Sequence, residues 1–396
     1  MLTPSETKVL NKILPEKVIE LAKKMVQIDT QNPPGKEKDF AVFIEPMLKS
    51  MGLETSVFEF KKGRPDVVAV YRIGESKKAI IFDGHMDTVP FGDLSTWSVD
   101  PLSGTVKEGK LFGRGSADMK GSIAAYVYAL KTLINSGIKL NGNITLILTS
   151  DEEASTMETK YVLEKGYHAT FGIVGEPSNL QVHTAHKGFA RWKLTTYGKS
   201  AHSSTPDNGV NAIYKMAKAV TKLEEMAENA SRQKAHPLLG PPTFSVGIIK
   251  GGTRDNVVPD TCEVTIERRL LPGEKPDIVE KQINDTLSLI TSKDPQFKYN
   301  LSLYHWLSGA ETPPTAPVVS LAKNAVQDIV GQEVKIEGFA ATTEMVHLTN
   351  VGIPSIILGC GHVKQTHIAN EYVLTQQIID VAKAYALIML RYLGKE

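Results

Sequence analysis

A small set of residues in this chain has the side chains for metal and acid–base chemistry, and each sits just beyond an apolar run or in a tight loop. His85 and Asp87 follow AIIFDG, Asp118 lies in GRGSADMKG, Glu152 and Glu153 follow NITLILTS, Glu176 follows FGIV, and His367 comes after the last strand-like segment. Singly, each has a plain structural reading. A histidine after a strand is commonly a hydrogen-bonded surface or core residue, an EE pair is a solvated turn, and Asp118 would cap the helix that follows. GRGSADMKG lacks the GK[ST] ending and the preceding strand of a phosphate loop. Jointly, these residues bring carboxylates and imidazoles to one edge of one sheet, beyond the strand ends where open parallel sheets bind ligands. Two imidazoles and three carboxylates suit a pair of divalent cations that share one carboxylate. Zinc accepts both donor types, and two ions about 3.5 to 4 Å apart can bridge a water, lower its pKa and polarise an amide carbonyl. Asp87 is placed to accept the other ring N–H of His85 and fix its tautomer. Glu152 and Glu153 divide into one ligand and one free general base, because neighbouring side chains at a strand end point different ways.

The elements that must position these groups are legible in the periodicity. A helix is predicted from Pro15, with Val18, Ile19, Leu21, Ala22, Met25 and Val26 on one side, and a second over Phe40 to Met51 after the QNPPGKEKD loop. TSVFEF, DVVAVYRI and KAIIFDG read as strands, Gly121 to Asn135 as a helix closed by Gly137, and NITLILTS, FGIVGEP and Ile353 to Leu358 as further buried strands. Aliphatic runs alternating with amphipathic helices predict an α/β fold, a mainly parallel sheet with helices on both faces. From Gly188 the order becomes β-α-β-β-α-β, an inserted α+β sandwich of ferredoxin-like type. The predicted domains are therefore residues 1–187, the insert 188–304, and 305–396, with hinges near Ala185 to Gly188 and Tyr304 to Thr312.

Composition narrows the class. At 396 residues the chain is longer than one core usually supports. Forty-five Lys and Arg against 44 Asp and Glu, with no basic block, give no sign of a nucleic-acid or membrane partner. Cys262 and Cys360 form no CxxC pair and fit a reducing compartment. No stretch approaches the roughly 20 apolar residues of a membrane span, and the amino terminus lacks a signal-peptide core, so the expected location is cytoplasmic.

GHMDTVP, GRGSADMKG, DEE, GEP and the histidine of THIANE, in that order, resemble the zinc-dependent exopeptidase and N-acyl-amino-acid deacylase family. That family includes acetylornithine deacetylase, succinyl-diaminopimelate desuccinylase, aminoacylases and glutamate carboxypeptidases, and the resemblance covers nearly the whole chain. It implies that His85 and Glu176 bind one metal, Glu153 and His367 the other, and Asp118 both, with zinc foremost and cobalt or manganese served by the same ligands. It implies Glu152 as general base and a cis peptide after Asp118. Glu176, rather than the Asp of the family's aminopeptidases, implies a substrate with a free α-carboxylate. The insert resembles the family's lid and dimerisation domain, which implies a homodimer. In the insert, His202 would stabilise the oxyanion from across the dimer, Asn256 would line the cleft and Arg269 would hold the carboxylate, with Arg268 facing solvent. Gly361 matches a glycine at the substrate edge. Four features depart from the pattern: Thr366 before His367, the Thr343-Glu344 pair where a Thr-Asp or Ser-Asp pair is common, GCG in place of the usual GPG, and a YHWLSGAETPP segment without the arginine of glutamate carboxypeptidases. The reading is a two-metal amidohydrolase for N-acyl amino acids. A carboxypeptidase or dipeptidase is the alternative enzyme. A non-catalytic binding protein keeping the fold is the alternative of another class, opposed by the presence of both Glu152 and Asp118.

Overall fold

A computed structural model describes residues 2–394. In chain order the helices are α1 (Pro4–Leu10), α2 (Pro15–Val26), α3 (Lys38–Ser50), α4 (Gly121–Ser136), α5 (Glu158–Glu164), α6 (Ala212–Ser231), α7 (Pro276–Thr291), α8 (Pro317–Val330), α9 (Met345–Asn350) and α10 (Thr375–Leu393). The strands are β1 (Glu54–Lys61), β2 (Arg64–Ile73), β3 (Ala79–His85), β4 (Thr105–Lys107), β5 (Lys110–Phe112), β6 (Gly142–Thr149), β7 (Phe171–Val174) and β8 (Val182–His186). They continue with β9 (Gly188–Tyr197), β10 (Thr243–Gly251), β11 (Thr261–Leu270), β12 (Lys298–Leu307), β13 (Ala310–Glu311), β14 (Ile336–Phe339), β15 (Ser355–Ile357) and β16 (Tyr372–Leu374).

The chain divides into two compact units: one runs to Thr184 and resumes over Thr312–Phe339 and from Thr343 onward, the other comprises Ala185–Glu311 and Ala340–Thr342. The first is built on a mixed sheet in which β6, β3, β7 and β15 are parallel neighbours. Its flanks differ from the parallel expectation: β1 and β2 run antiparallel, β2 joins β6 antiparallel, and β8 meets β15 antiparallel. β1 and β2 are joined by a tight turn, which only an antiparallel pair can use. Every residue of β3 is buried, as both-face coverage requires. α4 and α10 cover the sheet with an apolar layer that includes Ile123, Val127, Leu130, Tyr385, Leu387 and Met389. The long excursion leaves this unit after Thr184 and returns at Thr312, whose amide donates to the carbonyl of Thr184 at 2.8 Å.

Among the elements of this unit that the sequence periodicity does not mark, two bear on stability and on the site. α1 forms on a capping box in which Glu6 N donates to Thr3 Oγ1 at 3.2 Å and Thr3 N to Glu6 Oε2 at 2.6 Å. A small antiparallel sheet, β4-β5-β16, pairs Tyr372 with Phe112 and so ties the segment after His367 to the loop that leads into Asp118.

In the second unit four antiparallel strands lie in the order β10-β11-β9-β12, backed by α6 and α7, the split βαβ arrangement. Trp192, Leu194, Val264, Ile266, Met216 and Ile283 make its own core. Among the described residues no helix is long and apolar enough to cross a membrane.

Candidate metal centre

Three parallel-strand exits deliver the inner carboxylates and one imidazole. His85 ends β3, and the DEE turn follows β6, its neighbour on one side, while Glu176 follows β7, its neighbour on the other. Asp118 enters from the five-residue turn before α4, and its peptide bond to Met119 is cis. His367, with φ +61°, comes from the loop before β16.

These residues converge. His85 Nε2 lies 3.1 Å from Asp118 Oδ1 and 3.5 Å from Glu176 Oε1. His367 Nε2 lies 3.3 Å from Asp118 Oδ2 and 3.1 Å from Glu153 Oε2. The two oxygens of Asp118 thus face two different donor sets, and within each set the ligand atoms fall within 4.8 Å of one another. Glu152 belongs to neither. It groups with Glu176 and Glu344, and its Oε1 receives Thr156 Oγ1 at 3.3 Å.

The electrostatics of these groups suit a cation. Burial, reinforced by the charge of Asp118, pushes Glu176 up to about 8. Burial and Asp83 push Glu344 to about 8, and burial with Glu344 raises Glu152 well above the usual carboxylate range. Burial alone would lower the His85 imidazole, but Asp118, Asp87 and Glu176 outweigh it and raise it. Hydrogen bonds to Asp118 and Glu153 raise His367 to about 10. A cage of buried carboxylates that would otherwise hold protons is what divalent metal binding relieves, and the mixed nitrogen and oxygen donors match zinc, cobalt or manganese.

Asp87 meets His85 differently from the sequence expectation. The ring Nδ1 contacts the main-chain carbonyl of Asp87 at 2.9 Å, with the carboxylate Oδ1 at 3.6 Å. That carboxylate instead accepts the amides of Glu152 and Glu153, both at 3.1 Å. A residue two positions past a strand end turns its side chain toward the next strand's exit loop. Gly361, with φ +82°, accepts the amide of Asn179 at 2.7 Å.

Sequence reasoning missed the pair that supports Asp118. Fully buried Glu371 accepts the amides of Ala117 and Asp118 on Oε1 at 3.0 and 3.2 Å, and Arg114 Nη1 holds its Oε2 at 2.7 Å. Both sit inside quoted motifs, Arg114 in GRGSADMKG and Glu371 in THIANE, so the signal was a charged residue beside each ligand. Gly359 was missed as well. A Cβ there would overlap the main-chain carbonyls of Gly175 and Glu176.

His202, Asn256 and Arg269 all belong to the second unit. His202 and Val257 form an isolated bridge, Ser203 N donates to Asn256 O at 3.1 Å, and His202 Nδ1 contacts Ser204 Oγ at 2.7 Å, so His202 and Asn256 are neighbours. Arg269 Nε pairs with Glu267 at 2.9 Å. Arg268 corrects the expectation that it faces solvent: it is buried, with Nη2 on Glu274 Oε1 at 2.7 Å and on Gln233 Oε1 at 3.1 Å. The alternation along β11 puts even-numbered positions inward, and Arg268 is one of them.

Residues 81–391 match the family model described as peptidase family M20/M25/M40. The chain belongs to this family. Acetylornithine deacetylase from Pectobacterium carotovorum is 32% identical over 78% of this chain and 78% of its own length. N-formyl-4-amino-5-aminomethyl-2-methylpyrimidine deformylase from Bacillus subtilis is 27% identical over 93% of this chain and 92% of its own. Among solved structures, aminopeptidase PepT from Bacillus cereus superposes with a TM-score of 0.81 at 22% identity, covering 96% of this chain and 98% of that one. This M20 chain is a hydrolase of amide or peptide bonds, a deacylase or peptidase of M20 type.

Proposed function

We infer that this M20 hydrolase is a two-metal deacylase that cleaves the amide bond of an N-acyl amino acid. The observation that carries the reading is Asp118, whose Oδ1 faces His85 and Glu176 while its Oδ2 faces His367 and Glu153. His85, Asp118 and Glu176 would hold one divalent cation and Asp118, Glu153 and His367 the other, zinc being the first candidate. Cations held there supply Lewis acidity and a water that ionises near neutral pH.

The chain's own groups supply the rest. Glu152, raised by burial and left out of both donor sets, accepts the proton of the attacking water and delivers it to the leaving amine. The Asp87 carboxylate holds the Glu152–Glu153 turn through two amides, and the Glu371–Arg114 pair holds the backbone of Asp118. By the family resemblance, His202 delivered from across the dimer would give a hydrogen-bond donor to the tetrahedral oxyanion, Asn256 would line the cleft and Arg269 would take the substrate carboxylate as a fork. Gly361 leaves room at the substrate edge. The lid role of the second unit and a homodimer belong to the same reading, as does a cytoplasmic location.

Glu176 supports an α-carboxylate substrate, and the acetylornithine deacetylase similarity supports a small acyl group. A second reading, a carboxypeptidase or dipeptidase with the same centre, has its own support in the fold shared with an M20 family metallo-carboxypeptidase from Sulfolobus solfataricus and human carnosine dipeptidase 1. Steady-state rates on N-acetyl-ornithine, N-succinyl-diaminopimelate, other N-acyl amino acids, N-formyl aminomethylpyrimidine and dipeptides, with zinc, cobalt or manganese added, separate them. Preferred turnover of dipeptides overturns the deacylase reading. Absence of any turnover with two equivalents of metal bound overturns both.

A further inference from the structure

Beneath the Glu152–Glu153 turn lies a buried polar chain none of whose members belongs to a candidate donor set. It begins at Glu37, just before α3, whose carboxylate is gripped by Nε of Arg64 at 2.6 Å and by Nη2 of the same guanidinium. Nη1 of Arg64 donates to Asp151 Oδ1 at 2.7 Å. Asn32 Nδ2 then spans two carboxylates, Asp151 Oδ1 at 3.0 Å and Asp87 Oδ2 at 2.8 Å. Asp87 ends the chain on the amides of Glu152 and Glu153. All five members are buried, Asn32 the most exposed of them at 6%.

Two carboxylates share one buried guanidinium, a third is linked to them only through Asn32, and the exposed Lys61 ammonium reaches Asp151 at 3.3 Å from the surface. Such buried charge is a costly way to stabilise a fold, since apolar residues of the same volume would serve as well or better. Fully connected, such a network specifies geometry instead. Two backbone features are shaped to it. Asp151 takes φ +63° immediately before the glutamates, and Gly35 takes φ +95° where a Cβ would overlap the Arg64 guanidinium. The Arg64 side chain cannot step aside without leaving Glu37 or Asp151. The QNPPGKE loop therefore contributes Asn32, Gly35 and Glu37 to one device.

Building on the two-metal reading, we propose that the Glu37–Arg64–Asp151–Asn32–Asp87 chain is a positioning device that sets the Glu152–Glu153 turn, so that one glutamate faces the substrate water and the other its cation, with Asn32 as the connecting link. These are positioning residues; none touches substrate.

The test compares wild type with Asn32→Ala, Gly35→Ala and Asn32→Ala/Arg64→Met in the full chain. Chelator-stripped protein is titrated with zinc chloride by calorimetry, melting is followed by circular dichroism, and kcat and KM are measured on the best substrate of the panel. Asn32→Ala is expected to lower kcat about 10- to 100-fold with KM within about threefold, and to weaken one of the two zinc-binding steps about tenfold, as loss of a partner behind a ligand does. Gly35→Ala should move both readouts the same way without altering any donor. Adding Arg64→Met to Asn32→Ala should cost little more in kcat, because members of one unit are not additive. Wild-type kcat and zinc affinity in Asn32→Ala and Gly35→Ala overturn the proposal, as does a loss of kcat that merely tracks the fraction unfolded. A wild type that binds no zinc removes the two-metal reading itself, whereas a zinc-loaded, active wild type matched by Asn32→Ala removes only the positioning role.

Discussion

Asp118 is where two donor sets meet, and the consequences of altering it differ from those of altering its neighbours. We expect Asp118→Asn to abolish stoichiometric binding of the second metal equivalent, checked by metal analysis after dialysis, because an amide offers one oxygen acceptor where the carboxylate offers two. Glu152→Gln should retain both equivalents and lose about 10²- to 10⁴-fold in kcat, the range for removal of a positioned acid–base group. Wild-type turnover in that variant removes Glu152 from the proton-transfer role. The strand-end carboxylates and imidazoles were legible as a joint pattern, because several of them at the ends of neighbouring strands have few structural uses together, although each alone has a plain one. Their supports were not. Glu371, Arg114, Asn32 and Arg64 are ordinary in sequence, and only the pairing of β16 with β5 and the course of the QNPPGKE loop reveal what they hold.

Elements place these residues by how closely their backbones approach. At the end of β15, Gly359 sits against the carbonyls of Gly175 and Glu176. Gly359→Ala must push two main chains apart, so we expect a loss of about 1 to 3 kcal/mol in urea-unfolding free energy, with weaker metal retention because Glu176 moves. In the second unit, Lys215 at the start of α6 and Lys218 one turn on both reach Asp294, at 2.7 and 2.8 Å. Their hydrogen bonds hold the Asp294 carboxyl at about 2, below its usual 3.8. A depressed folded pKa means the stabilisation is present above about pH 4 and is lost as the pH falls through about 2. Allowing for solvent screening, we expect it to be at most about 1 kcal/mol. The difference in stability between wild type and Asp294→Asn, measured by urea unfolding, should shrink between pH 5 and pH 2.5. Helices α2, α3 and α4 and the central strands were legible because burial on one or two faces imposes a period. The antiparallel flanks were not, because direction leaves no mark on a buried aliphatic run. β11 shows the same limit on a finer scale: adjacent arginines look alike until the register assigns Arg268 to the inside and Arg269 to the half-exposed face.

For the molecule as a whole, the two-metal reading links metal binding to folding of the first unit, since all five candidate ligands fall within it. A ligand that binds only the folded state adds about 2.7 kcal/mol at a hundredfold excess over its Kd. We expect chelation to lower the melting temperature of the wild type by several degrees, and by much less in Asp118→Asn. An equal shift in both argues against that linkage. The two-unit organisation could be read from the change in element order at Gly188, while the return of Ala340–Thr342 to the second unit had no sequence signal. The hydrogen bond from Thr312 to Thr184 closes the first unit's chain across the excursion. Where the long excursion begins and ends the backbone is already joined, so evolution could resize the segment between Thr184 and Thr312 without re-threading the scaffold that carries the ligands.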